Sequence, residues 1–387
     1  MAYFWEQRKL GELGTITTGS TPSTSIPDYY SDDGIVWVTP TDICENITFE
    51  SARKLSDLGQ QVGRVVPKNT ILVTCIASIG KNTMLGNTGS FNQQINGLTP
   101  NENECDPYFL LTESALWSAK MKSSAAAGTM QIVNRTEFSE LKTWLPSLIE
   151  QQAISNFFRQ LDNLITLHQR EYEGLQIIEK TMLEKMFSKN GSEIPEIRFD
   201  GFTYDWEQRK LGELTLESSE YATLSSKLPL LTSSRSGLMY QNEYRGNLTT
   251  ESEKTIFSVV PFGTCTYRHM SDDDIFHLNI NTLEKGLVSR EYPVFMASED
   301  NVLEFIVQYI NSSSKFRAFC AEQKKGGTRT RLYYKTLCEF SFMVTKSKEQ
   351  QRIAEFFTDL DHLITLHQRQ LEKLQNIKKS MLEKMFV

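Results

Sequence analysis

The sequence predicts an α+β protein: two mixed α/β domains separated by two long helices that form an antiparallel coiled coil, the whole arranged as a pseudo-twofold internal repeat. Three observations carry that reading. The phrase WEQRKLGEL occurs at 5–13 and again at 206–214. Residues 150–187 realign on 349–386 with about 26 of 38 positions identical. In both copies apolar residues recur every seven positions, which is the period of a coiled-coil seam.

Taken in order, residues 1–149 form the first domain. Its runs GIVWVTPTDI from Gly34 and TILVTCIASIG from Thr70 are rich in Val, Ile and Thr and predict strands. GSTPSTSIP from Gly19 and NTGSFNQQINGLTPN from Asn87 predict polar loops. Residues 150–187 are the first helix, entered after Pro146, with Leu161, Leu164, His168, Leu175 and Met182 on the seam. At ~1.5 Å per residue it would run ~55 Å. SKNGSEIPEIRFDGF marks a linker at 188–205. The second domain, 206–348, contains the strand-like TIFSVVPFGTCTYRHM and FSFMVTK and the helical NVLEFIVQYI. Residues 349–387 are the second helix, with Leu360, Leu363, His367, Leu374 and Met381 on its seam. If the helices pair and the repeat is symmetric, the second must run back along the first. The first WEQRKLGEL then belongs beside the C-terminus at Val387. The two histidines are expected to fix register, because neither has a second ligand at metal-binding spacing.

The bulk numbers narrow the class. The chain has 387 residues, net charge −7 and 39% hydrophobic residues, and mean hydropathy is −0.37. No apolar run approaches a membrane span, and MAYFWEQRKL does not read as a secretory leader. The six cysteines form no C-x-x-C pair, which fits reduced thiols in the cytoplasm. The negative charge argues mildly against nucleic acid unless a basic cleft is local.

The loops nevertheless carry side chains suited to nucleic acid. In the first domain these are Gly19, Ser20, Thr21, Lys81, Asn82, Gln93, Gln94, Asn96, Thr129, Gln131 and Asn134. In the second they are Ser233, Ser234, Arg235, Tyr267, Arg268, Thr328, Arg329 and Arg331. Asn and Gln can pair with adenine, Arg with guanine, and hydroxyls or amides beside glycine with phosphate. The glycine-led turns GTMQ and GGTRTR precede both long helices at similar distances. Catalytic motifs are missing. A phosphate loop at Gly80 fails because Cys75 stands where its first glycine belongs and Asn82 follows the lysine. Pro27-Asp28 is not followed by E-x-K in the next fifty residues, and N-P-P-[YF], H-E-x-x-H and G-x-S-x-G are absent. These residues leave three readings open: a DNA-binding scaffold, an autonomous DNA-modifying enzyme with an unrecognised active site, and a coiled-coil adaptor for proteins.

The pattern resembles the specificity subunit of type I restriction–modification systems. TTGSTPS followed by YYSDDGIVWVTPTDI carries the likeness in the first half, and RFDGFTYDWEQRKLGEL and GLVSREYPVF carry it in the second. So do the turns that lead into LPSLIEQQAISNFFRQLDNLI and KSKEQQRIAEFFTDLDHLI. The RFDGF lead has no counterpart before Trp5, so the first entry segment is expected to be less well anchored.

The resemblance implies that both domains are target recognition domains, each reading half of a bipartite double-stranded DNA site in bacterial defence. Strong divergence between them implies unlike half-sites, and the ~55 Å helix length bounds their separation at about one turn of DNA, ~34 Å. The resemblance also implies two modification subunits using S-adenosylmethionine, restriction subunits using ATP and Mg, and no cofactor or catalytic residue in this chain. Glu179 and Lys378, on helix faces expected to be exposed, are candidates for partner docking.

Overall fold

A computed structural model describes residues 5–76, 79–125, 132–188, 192–245, 252–324 and 328–386. The chain divides into two compact units, Met1–Gln169 with Arg369–Val387, and Arg170–Gln368. The division passes through both long helices, Leu148–Lys185 and Ser347–Met385. Each unit therefore holds part of each helix.

In unit 1, five strands order as Gly14–Thr18, Ile95–Pro100, Ile71–Thr74, Asn82–Leu85 and Ile47–Thr48. The pairing is antiparallel except at the last pair. A second sheet pairs Tyr30–Val38 with Lys54–Leu55 and, in parallel, with Gly89–Phe91. The segment from Asn87 read from sequence as a polar loop thus supplies two strands. Its Asn and Gln residues suggest a loop, but Phe91, Ile95 and Leu98 are fully buried and draw the backbone into the sheets. The helix Pro107–Ala125, unforeseen in the sequence, packs on the five-stranded sheet against Ile71–Thr74 and Asn82–Leu85. Its buried face includes Thr112, Glu113, Ser114 and Ser118 as well as apolar residues, so it offers little amphipathic periodicity to read.

Unit 2 has a four-stranded sheet, ordered Thr215–Glu217, Val294–Ala297, Cys265–Thr266, Asn279–Ile280. Beside it lie the three strands Tyr221–Thr223, Ile256–Val260 and Gly286–Ser289. The helical spacing at Asn301 becomes the helix Leu303–Ser312, with its apolar face in the core.

The repeated phrases build the same frame twice. Glu6–Lys9 pairs antiparallel with Lys142–Leu145, and Glu207–Lys210 pairs antiparallel with Ser341–Val344. Each pair clamps the strand that leads into a long helix. An aromatic quartet then locks the helices. In unit 1, Phe386 lies 5.8, 5.5 and 5.9 Å from Trp5, Phe109 and Phe158. In unit 2, Phe187 lies 5.4 and 5.9 Å from Phe305 and Phe357, and Trp206 lies 5.8 Å from Phe305. Trp5 therefore packs beside the last helix, as the repeat required. It is also well anchored: its indole N–H donates to Glu150 at 3.1 Å. In unit 2 the equivalent carboxylate, Glu349, takes the Arg198 guanidinium at 2.6 and 2.7 Å instead.

The helices run antiparallel within each unit. In unit 1, Phe158 meets Phe386 and Asp162 meets Lys378 at 2.5 Å, so one number rises as the other falls. In unit 2, the His367 Nδ1 lies 3.2 Å from Glu171, while Phe187 meets Phe357.

Leu161 and Leu360 are buried on the seam, and His168, Leu175, Met182, His367 and Leu374 are half-buried. Leu164, Leu363 and Met381 are 46%, 44% and 36% exposed and do not lie on the seam. A straight helix drifts from a strict heptad, so some heptad positions rotate toward solvent. Lys378 is taken by Asp162, and Glu179 faces Asp361, so neither is the free docking charge expected from sequence.

Candidate nucleic-acid interface

In unit 1, the residues after the strand Gly14–Thr18 turn across the strand Gly89–Phe91. Gly19 N–H donates to Ile95 and Ser20 N–H to Phe91, at 3.0 and 2.9 Å. A Cβ on Gly19 would lie 2.0 Å from the Asn92 carbonyl, so only glycine permits this approach. Ser20 accepts from the Trp37 indole at its carbonyl (3.0 Å) and from the Arg64 N–H at its hydroxyl (3.0 Å). Arg64 also donates to the Thr18 carbonyl at 2.6 Å. Thr21 donates to exposed Gln93. These residues make a polar rim of hydroxyl, amide and guanidinium groups. Trp37 and Arg64 were missed from sequence, because Trp37 sits in a strand and Arg64 lies alone among turn residues.

Other predicted residues have structural duties. Asn96 is 2% exposed and donates to Cys75 Sγ and the Val133 carbonyl, so it braces the sheet from inside. Asn134 caps the helix Arg135–Glu140, accepting from Glu137 N–H at 3.0 Å. Asn82 accepts from Ser118, Lys81 donates to the Pro40 carbonyl, and Gln94 accepts from Asn92. Thr129 and Gln131 lie outside the described residues.

In unit 2 the predicted loops converge more closely. Ser233, Ser234, Arg235, Arg268, Asp272 and Asp273 line a concavity of about 480 Å³. The hairpin Leu231–Ser234 with Gly237–Tyr240 presents Arg235. A short ribbon pairs Met270 with Arg331 and Ser271 with Thr330. It places Thr328 and Arg329, both exposed, next to the same edge. Tyr267 is fully buried and donates to the Leu332 carbonyl, so it is a core residue. Burial pushes its hydroxyl pKa well up. Ser233 is also buried and accepts from Asn279 at 2.7 Å. The run Asp272–Asp274 is plain in the sequence, but its negative charge does not by itself mark a surface suited to nucleic acid.

The strongly shifted thiols Cys75 and Cys105 are pushed up to about 11 by burial, which makes them inert rather than reactive. No helix among the described residues is long and apolar enough to cross a membrane.

Two curated relatives are similar to this chain in sequence. The MjaIX type I restriction enzyme specificity subunit of Methanocaldococcus jannaschii is 28% identical over 56% of this chain and 53% of its own. The HindI specificity subunit of Haemophilus influenzae is 29% identical over 42% of this chain and 37% of its own. The match thus spans about half, or less, of those relatives' length. Among solved structures, the S subunit of a type I restriction–modification system from M. genitalium superposes with a TM-score of 0.66 at 13% identity. That superposition covers 100% of this chain and 97% of that one, and shows the fold. The family model described as the type I restriction modification DNA specificity domain matches residues 4–177 and 279–376. That match takes in most of the chain, and the protein belongs to the type I restriction modification DNA specificity family.

Proposed function

We propose that this chain is the non-catalytic DNA-reading subunit of a type I restriction–modification assembly. Each unit reads one half of an asymmetric, bipartite double-stranded site. The observation that carries this reading is a single frame bearing two unlike rims. The strand clamp, the aromatic quartet and the helix pair recur in both units, while the rim of unit 1 is hydroxyl and amide around Arg64 and that of unit 2 pairs arginines with a run of aspartates.

The helix pair supports docking of two equivalent modification subunits. Leu164 and Leu167 in unit 1 are 46% and 51% exposed, and their repeat equivalents Leu363 and Leu366 in unit 2 are 44% and 42% exposed. Matched apolar positions left open twice suit two copies of one partner. Restriction subunits complete the assembly in the cytoplasm. S-adenosylmethionine, ATP and Mg serve the partners, which also supply positive charge that a chain of net charge −7 lacks.

Two measurements test this. The purified chain alone, given duplex DNA with S-adenosylmethionine or with ATP and Mg, neither methylates nor cleaves; either activity would contradict the proposal. Replacing Arg329 and Arg331 by Ala weakens one half-site by ~1–3 kcal/mol per base contact and spares the other. Equal weakening of both would refute modular reading.

A further inference from the structure

Three basic side chains on the rim of unit 2 meet three consecutive aspartates. Arg329 Nε lies 2.7 Å from Asp272 Oδ1, Arg235 pairs with Asp273, and Lys324 Nζ lies 3.8 Å from Asp274 Oδ2. Thr330 also donates to Asp274. The aspartates sit on a built turn. Ser271, buried in the ribbon, donates to Asp273 at 2.8 Å and accepts from the Ile275 N–H at 3.1 Å. Asp274 takes a left-handed φ of 62° that closes the turn. The Ser271 hydroxyl and the Arg235 guanidinium hold the Asp273 carboxyl below the usual carboxylate range, so it is charged at neutral pH.

This arrangement suits base edges better than phosphate. A phosphate approaching these arginines would meet three carboxylates, and like charges repel. A base edge is neutral and offers both donors and acceptors. Arg329 is engaged with Asp272 through Nε, so its two terminal amino groups still form a fork. That fork matches guanine O6 and N7, and a carboxylate accepts from the cytosine amino group. The carboxylate also fixes a long side chain that would otherwise lose rotamer entropy on binding.

We propose that the Asp272–Arg329 and Asp273–Arg235 pairs are specificity determinants that select guanine–cytosine pairs in the half-site read by unit 2. Asp272 acts as a positioning residue, aiming Arg329 at a base and discouraging contact with backbone phosphate. The inference rests on the DNA-reading function proposed above.

The test is a genome-wide map of methylated adenines in a host carrying this chain with its modification subunits. Wild type is compared with Asp272→Ala, with Arg329→Lys, and with Glu299→Gln as a charge control elsewhere in unit 2. The expected wild-type motif has unlike halves, one with a fixed guanine–cytosine pair. Asp272→Ala and Arg329→Lys each relax that position by about tenfold and leave the other half unchanged. Glu299→Gln leaves the whole motif as it was.

Several outcomes overturn the inference while the DNA-reading function stands: a bipartite motif with no fixed guanine–cytosine pair in the affected half, methylation that falls evenly at all sites with the motif intact, or Arg329→Lys keeping the wild-type motif. A wild-type map with no bipartite motif overturns the DNA-reading function itself, and this inference with it.

Discussion

At the scale of single residues, the most informative groups are buried polar ones that the fold commits itself to satisfying. Gln350 is 1% exposed, donates to the Thr345 and Asn301 oxygens, and accepts from the Val302 N–H at 2.9 Å. Gln151 does the same for Pro146, Glu104 and Asp106 in unit 1. Each glutamine ties the start of a long helix to the start of a domain helix. Gln350→Ala leaves several buried groups unpaired and is expected to cost roughly 2–4 kcal/mol in chemical denaturation; a loss below ~0.5 kcal/mol would contradict the account.

Glu113 is a different case. It is 3% exposed, and burial raises its pKa to about 7. Above the unfolded value of about 4.5 the folded state holds the extra proton. Stability is therefore full below that value and declines as pH rises toward 7, by about 3 kcal/mol. Glu113→Gln should remove that slope from denaturation midpoints measured between pH 4 and 8. Neither duty was legible in the sequence. Both glutamines stand in a repeated EQQ phrase, but nothing local says that a polar side chain will be buried. Asn96 and Tyr267 misled for the same reason, since their residue types suit DNA as well as they suit a satisfied interior.

At the scale of elements, the repeat makes the chain its own control. Asp162 and Asp361 are equivalent in the two helices. Asp162 meets Lys378 in unit 1, and Asp361 meets Glu179 in unit 2. Burial, then Asp361, holds the Glu179 carboxyl up to about 6. Stability from this site is present at low pH and lost as pH rises through that value. Glu179→Lys should recreate the unit 1 ion pair and stabilise the chain by roughly 1 kcal/mol at neutral pH, seen as a higher melting temperature. A lower one would mean the two helix pairs are not equivalent. The long helices were readable because the seven-residue pattern persists over many turns. Leu164 and Leu363 were misplaced because a heptad template ignores the drift of a straight helix. The strands at Gly89–Phe91 and Ile95–Pro100 were hidden by their polar letters, which the surrounding sheets override.

At the scale of the whole molecule, one frame is written twice and carries two different rims. The repeat, the helix pair and the place of Trp5 beside the last helix followed from sequence. The pairing of arginines with aspartates did not, because ion pairs across loops depend on where distant turns converge. The central claim is that the two units read DNA separately. Footprinting of the assembled complex on its methylated target tests it most directly. Two protected patches separated by an unprotected gap are expected, with Arg329→Ala and Arg331→Ala erasing only one of them. A single continuous patch, or protection without sequence preference, would contradict it.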